Sequence, residues 1–208
     1  MPENSRRSQR PLRADAEVSI ARILRAAEHV FAADPSASLE AVAQAAGVAR
    51  TTVHRRFSSR DDLLDALVDM VNTKLREAIG GANVETAPPL VALYQLTVAT
   101  LDLKVDWRAA WQFVDLGSDG ARGIDPDNIA ELAALMQRSV DVGLLRPGVD
   151  LQWACSVYMA LIHEAATARP DDESASEWAN LIMQTLLGGV GNTEHDLEAL
   201  LTQLPEQN

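Results

Sequence analysis

The chain has 208 residues, 47% hydrophobic and 23% charged, which is ordinary for a soluble globular protein of one or two domains. No apolar run approaches the roughly 20 residues that span a bilayer, so a membrane protein is excluded. One cysteine, Cys155, excludes an intrachain disulfide, and the arginines of MPENSRRSQRPLR have no apolar stretch behind them to make a secretory signal, so a reducing, cytoplasmic location is expected.

Residues 1–16 show no apolar periodicity: Arg6, Arg7, Arg10 and Arg13 alternate with polar residues and Pro11. They read first as a solvated tail, and alternatively as an arm that tracks phosphates or enters a minor groove. A first helix is predicted over Val18–Ala33, with Ile20, Ile23, Leu24, Ala27, Val30 and Phe31 on one stripe and His29 beside it as a boundary residue. Asp34-Pro35 stops it.

Two short helices joined by a tight turn follow. Ser38 precedes the apolar positions Leu39, Val42, Ala43 and Ala46 and is placed to cap them, and Gly47 comes just after. Val48, Val53 and Phe57 are expected inside, which turns Arg50, Thr51, His54 and Arg55 outward. Such a face suits a DNA major groove: arginine can pair with guanine, and threonine can meet a thymine methyl or a phosphate. Charge distribution agrees. Residues 1–60 carry ten Lys and Arg against six Asp and Glu, a net +4, while residues 61–208 carry eight against 24, a net −16. The basic end can bind phosphates while the acidic body is repelled.

The run AVAQAAGVARTTVHRRFSSRDDLL resembles the N-terminal helix-turn-helix signature of the TetR family of transcriptional regulators. The resemblance covers roughly Ile20 to Leu67 and rests on Gly47-Val48, Thr52-Val53, Arg55, Phe57 and Arg60-Asp61-Asp62-Leu63-Leu64 taken together. The family usually carries a phosphate-contacting tyrosine where this chain has His54, and histidine donates with shorter reach and a pH-dependent charge. The resemblance implies an all-α fold: an N-terminal three-helix, helix-turn-helix DNA-binding domain over 17–62 and a larger helical domain over 63–208 for effector binding and dimerisation. It also implies a repressor that binds a double-stranded palindromic operator as a homodimer. Arg50, Thr51 and Arg55 are then the expected base readers, and Thr52, His54, Arg56 and Arg60 the expected phosphate ligands.

Beyond this unit, Ser59 and Asp62 form an S-x-x-D capping arrangement that starts a helix over Arg60–Ile79, ended by Gly80-Gly81. It joins the reading unit to the body without a break. Further helices are predicted over Leu90–Val105, Arg108–Leu116, Pro126–Val142, Leu151–Ala168 and Ala175–Leu187, with a tail helix over Glu194–Leu204. Asp125-Pro126 and Asp150 are start signals, Gly143 is a stop, and GSDGARGID at 117–125 reads as a flexible surface loop.

The helix at 151–168 is apolar on more than one side, as in a segment packed against several neighbours. With Ala175–Leu187, whose face carries Trp178, Leu181, Ile182, Thr185 and Leu186, it can form half of an intersubunit four-helix bundle; otherwise both stripes serve the monomer's core. Trp107, Trp111, Phe113, Met136, Trp153, Tyr158, Met159 and His163 together supply the chemistry of an apolar ligand pocket with a few polar groups, although any single one of them reads first as core. The acidic body favours a neutral or cationic small-molecule effector.

No catalytic residue, metal ligand or cofactor is expected. Cys155 and His163 are eight residues apart on one predicted helix, about 12 Å along its axis, too far for a thiolate–imidazole pair. The glycines at 188, 189 and 191 follow a helix rather than a strand, and His195 with Glu194, Asp196 and Glu198 reads as a solvated turn. The alternative to a regulator is a helical small-molecule-binding or catalytic protein whose basic end recruits a partner.

Overall fold

The computed structural model describes residues 5–114, 122–170 and 173–188, with side chains from Val18 onward. Among the described residues every regular element is an α-helix. Three helices form the head: α1 (Ser5–Ala33), α2 (Leu39–Ala45) and α3 (Arg50–Arg56). The body is built from α4 (Arg60–Gly81), α5 (Pro89–Asp106), α6 (Arg108–Trp111), α7 (Pro126–Asp141), α8 (Leu151–Ala168) and α9 (Ala175–Gly188).

The helix starts follow local chemistry. Ser38 accepts from the Ala41 N–H at 3.3 Å, Ser59 from Asp62 at 3.0 Å and Asp150 from Trp153 at 3.0 Å. Asp125 accepts from Asp127 at 3.0 Å and presents Pro126 at the first turn, where a missing N–H is harmless. Gly47 (φ +62) and Gly143 (φ +75) take left-handed turns after α2 and α7, a region that L side chains avoid.

Two boundaries differ from the sequence reading. α1 begins at Ser5 instead of Val18, so residues 5–16 continue the first helix and are not an unstructured arm. Once a helix is nucleated, each further residue adds a hydrogen bond, and that propagation needs no apolar face. α6 closes after one turn at Trp111, short of the expected Leu116. The predicted tail helix at 194–204 and the first part of the glycine-rich loop lie outside the described residues.

The described end of that loop is fastened. Asn72, buried on α4, donates Nδ2–H to the Gly123 carbonyl at 3.0 Å and accepts the Asp125 N–H at 2.9 Å, while Asn128 Nδ2 donates to the Asn72 carbonyl at 3.1 Å. Arg122 bridges Asp65 at 2.8 Å and Asp61 at 2.6 Å, both near the start of α4, and Arg76 pairs with Asp125. Residues 122–125 therefore form an anchored connection. A continuous core joins head to body: Ile23, Phe31, Val42 and Val53 meet Leu63, Leu64 and Leu67 of α4, which also packs on α5, α6 and α7. No described helix is long and apolar enough to cross a membrane.

Candidate nucleic-acid interface and interior cavity

α3 is seven residues long, and the burial of Val53 and Phe57 fixes which side it shows to solvent. Arg50, Thr51, His54, Arg55 and Arg56 are exposed and Thr52 is half-buried. The outer edge is tied to α2. Arg50 Nη2 pairs with Glu40 at 2.7 Å, Arg50 Nε donates to His54 Nε2 at 3.3 Å, and the same imidazole nitrogen stands 3.6 Å from Glu40. Hydrogen bonds from its own backbone N–H and from Ser38 hold the Glu40 carboxyl below its ordinary range, and Arg50 and His54 act in the same direction. Such an exposed pair orients the guanidinium yet is weak enough to exchange for a stronger anion.

Arg60 stands apart from that surface. Its guanidinium donates to the Pro35 carbonyl and lies 5.2 Å from the Phe31 ring and 5.8 Å from the Phe113 ring, which meet edge to face at 5.7 Å. Cation–π attraction holds the side chain there, where it joins α1, α4 and the segment after α6. A second junction lies beside it. Glu28 of α1 is buried, and its carboxylate accepts the Ala109 N–H at 2.6 Å and the Ala110 N–H at 2.9 Å in α6. Burial raises the Glu28 carboxyl above its ordinary value, and the two N–H bonds oppose that rise.

A cavity of about 800 Å³ is bordered by α4, α5, α6, α7 and α8. Of the eight residues expected around a pocket, Trp111, Tyr158, Met159 and His163 line it. The other four do not. Trp107 is buried beneath the Arg25 guanidinium (4.6 Å) and borders a separate cleft of about 640 Å³ beside α1 and α4. Phe113 packs on Phe31, Met136 is fully buried in the core, and Trp153 is 67% exposed on the outer side of α8.

The polar groups of the cavity are mostly ones that sequence reasoning missed. Lys104 of α5 is buried, its Nζ 3.9 Å from the Trp111 ring centroid and 3.5 Å from His163 Nδ1. Burial lowers its ammonium to about 8. Thr100 Oγ1 and Trp111 Nε1 are buried without a hydrogen-bond partner. Tyr158 is settled: its hydroxyl lies 2.8 Å from Thr97 Oγ1, and burial pushes its ionisation far up. His163 Nδ1 faces Lys104, and Cys155, also on the wall, has its thiol pushed up by burial, against any thiolate role.

The stripe expected at a dimer interface divides along α9. Ile182 is buried in the protomer's own core with Ala179 and Met183, so it is removed from that set. Leu186 is half-buried against the same core. Trp178 is half-buried, with Nε1 donating to Glu173 at 2.7 Å. Thr185, half-buried, donates to the Leu181 carbonyl at 2.9 Å, and the Leu181 side chain is 52% exposed. A helical stripe is wide enough to have one edge inside and one outside.

Comparison with known proteins agrees with this architecture. Residues 23–67 match the family described as bacterial regulatory proteins, tetR family. The HTH-type transcriptional repressor LfrR of Mycolicibacterium smegmatis is 32% identical over 170 residues, covering 81% of this chain and 88% of the relative. The HTH-type transcriptional regulator NfxB of Pseudomonas aeruginosa is 28% identical over 177 residues, covering 82% and 94%. The crystal structure of LfrR in complex with proflavine superposes with a TM-score of 0.63 at 30% identity, over 84% of this chain and 98% of that one. A helix-turn-helix head, an all-helical body behind it and relatives similar over nearly the whole described fold place this chain in the TetR family of transcriptional regulators.

Proposed function

We propose that the chain is a ligand-responsive repressor that binds a palindromic operator as a homodimer. The observation that carries the reading is a shared wall. α6 lines the cavity with Trp111 and gives its N–H groups to Glu28 of the head, so a molecule in the cavity and the orientation of the head act on one turn of helix. The proflavine complex of LfrR supports a ligand-responsive role for the equivalent body.

In this reading two α3 helices enter successive major grooves, about 34–36 Å apart. Arg50, Thr51 and Arg55 read bases, and Thr52, His54 and Arg56 hold phosphates. Dimerisation runs through α8 and α9, whose outward side carries the exposed Trp153 and Leu181. A buried apolar patch at a twofold axis is the common closed arrangement.

Fluorescence anisotropy with duplexes from the DNA upstream of the gene tests this. Sequence-selective binding that weakens steeply between about 50 and 200 mM salt is expected. Arg50→Ala should lose roughly 1–3 kcal/mol of specific binding with helix content intact. Equal affinity for operator and random duplex, or wild-type affinity in Arg50→Ala, would overturn it.

A further inference from the structure

We propose that the cavity selects an apolar molecule carrying a single carboxylate, with Lys104 receiving the anion. The inference rests on the reading of this cavity as the effector site and names the class of effector.

The walls are apolar over most of their area, with Leu75 and Ile79 of α4 and Ile129 and Leu132 of α7 among them. The polar lining residues are spread over three helices, with Asn128 on α7 and Gln152 and Ser156 on α8, and the lysine among them is on α5. Thr100 and Lys104 are one helical turn apart on α5 and so share a face, and the Lys104 ammonium lies over the Trp111 ring. Lys104 brings a buried ammonium to this wall, while Thr100 Oγ1 and Trp111 Nε1, without hydrogen-bond partners, are themselves covered by neighbouring atoms. Each is a group that protein interiors normally satisfy.

The sign of the charge is as telling as the donors. No described residue lining the cavity is Asp or Glu, and Lys104 has no carboxylate partner among the described residues. A buried lysine is ordinarily paired with an acid. Among the described residues, the side chain that meets its Nζ is His163, at 3.5 Å. A cationic ligand would face the Lys104 ammonium with no Asp or Glu on the described wall to neutralise it. The expectation of a neutral or cationic effector, drawn from the acidity of the whole body, is therefore reversed locally: the acidic residues are elsewhere, and the lining is positive.

The test is calorimetric titration of the full chain with naphthoate, naphthamide and naphthylmethylammonium, which share one ring system. Naphthoate should bind about tenfold or more tightly than the amide, the gain of charge-assisted over neutral hydrogen bonding, and the cation should bind most weakly. In Lys104→Met the carboxylate-to-amide ratio should fall to about one. Lys104→Gln serves as a second variant should the first fail to fold, and the wild-type ratio decides by itself should both fail. Naphthoate affinity should also fall by about tenfold per unit above pH about 8, as the ammonium is lost. The other titratable groups on the described lining, Cys155, Tyr158 and His163, all lie on α8. Equal or tighter binding of the amide or the cation, a preference that survives in both variants, or no saturable naphthoate binding up to about 1 mM overturns the proposal. Operator binding is measured in parallel. Selective naphthoate binding that leaves operator affinity unmoved keeps the ligand class and overturns the effector reading. Loss of operator selectivity without ligand overturns the regulator reading alone.

Discussion

Replacing Lys104 with methionine should stabilise the protein at neutral pH, an unusual result for a polar-to-apolar change at a binding site. The magnitude follows from the lysine's surroundings. Burial lowers its ammonium from 10.5 to about 8, which corresponds to roughly 3 kcal/mol opposing the charge in the folded state at pH 7. The Trp111 ring, 3.9 Å away, offsets about 0.5–2 kcal/mol of that. Methionine has similar length and no charge, so a net gain of about 1–3 kcal/mol is expected, or about 2–4 °C in Tm per kcal/mol for a chain of this size. The pH dependence has a fixed sign. The folded value lies below the unfolded one, so between about pH 8 and 10.5 the unfolded chain holds a proton that the folded chain has released. Wild-type stability therefore rises with pH across this window, and the advantage of Lys104→Met shrinks. Thermal unfolding followed by the helical circular dichroism signal, at fixed protein concentration and from about pH 7 to about pH 10, measures both effects. A variant less stable than wild type at pH 7, or a difference that stays constant with pH, would refute the account of Lys104 as an uncompensated interior charge.

Three other substitutions bear on the remaining contacts. Glu28→Gln keeps one oxygen acceptor where the carboxylate has two, so one of the Ala109 and Ala110 N–H groups is left unpaired and stability should fall by about 1–3 kcal/mol. Because the Glu28 carboxyl is raised in the folded state, wild-type stability relative to this variant should increase as pH falls from that raised value towards 4.5 and stay flat above it, which paired melts across acid pH would check. Arg60→Ala should lower Tm through the lost contacts to Phe31 and Phe113, by about 1–2 kcal/mol, while the salt slope of DNA binding is unchanged; a slope shallower by about one would restore the phosphate role. Trp153→Glu should weaken self-association by about 2 kcal/mol or more in sedimentation analysis, and an undiminished dimer would move the interface away from α8.

Local chemistry was legible in the sequence, and tertiary direction was not. Ser38, Ser59, Asp125 and Asp150 cap the helices they were expected to cap, because a cap needs only residues within one turn. The outer face of α3 was legible because Val53 and Phe57 fix its inner side. The cavity was only half legible. Periodicity separates the inside of a helix from the outside, yet Met136 in the close-packed core and Met159 on the cavity wall obey the same rule. Trp153 and Trp111 differ only in what the neighbouring helices leave beside them. Lys104 escaped notice because a lysine reads as surface, although its place one turn beyond Thr100 and two beyond Leu96, on a largely apolar helix, was a usable signal. Arg60 depends on Phe31 and Phe113, 29 and 53 residues away, which no local pattern joins.

The size of α6 sets how strongly the two proposed sites can influence each other. Four residues form a single turn, and a lone turn does not offset its own nucleation in water. Its position is therefore imposed from outside, by Glu28 on its N–H groups and by the packing of Trp107, Trp111 and Phe113 around it. A ligand that shifts Trp111 acts against those restraints, chiefly the two carboxylate bonds, each worth about 1.5–3 kcal/mol. Couplings between an effector and DNA are typically about 1–3 kcal/mol, the same order as one such bond. The clamp is thus stiff enough to transmit a displacement to α1 and weak enough to yield to a ligand of moderate affinity. Reciprocity then requires that operator DNA reduce effector affinity by the factor by which effector reduces operator affinity. Loosening the clamp, as in Glu28→Gln, should shrink both factors together while each site still binds its own ligand.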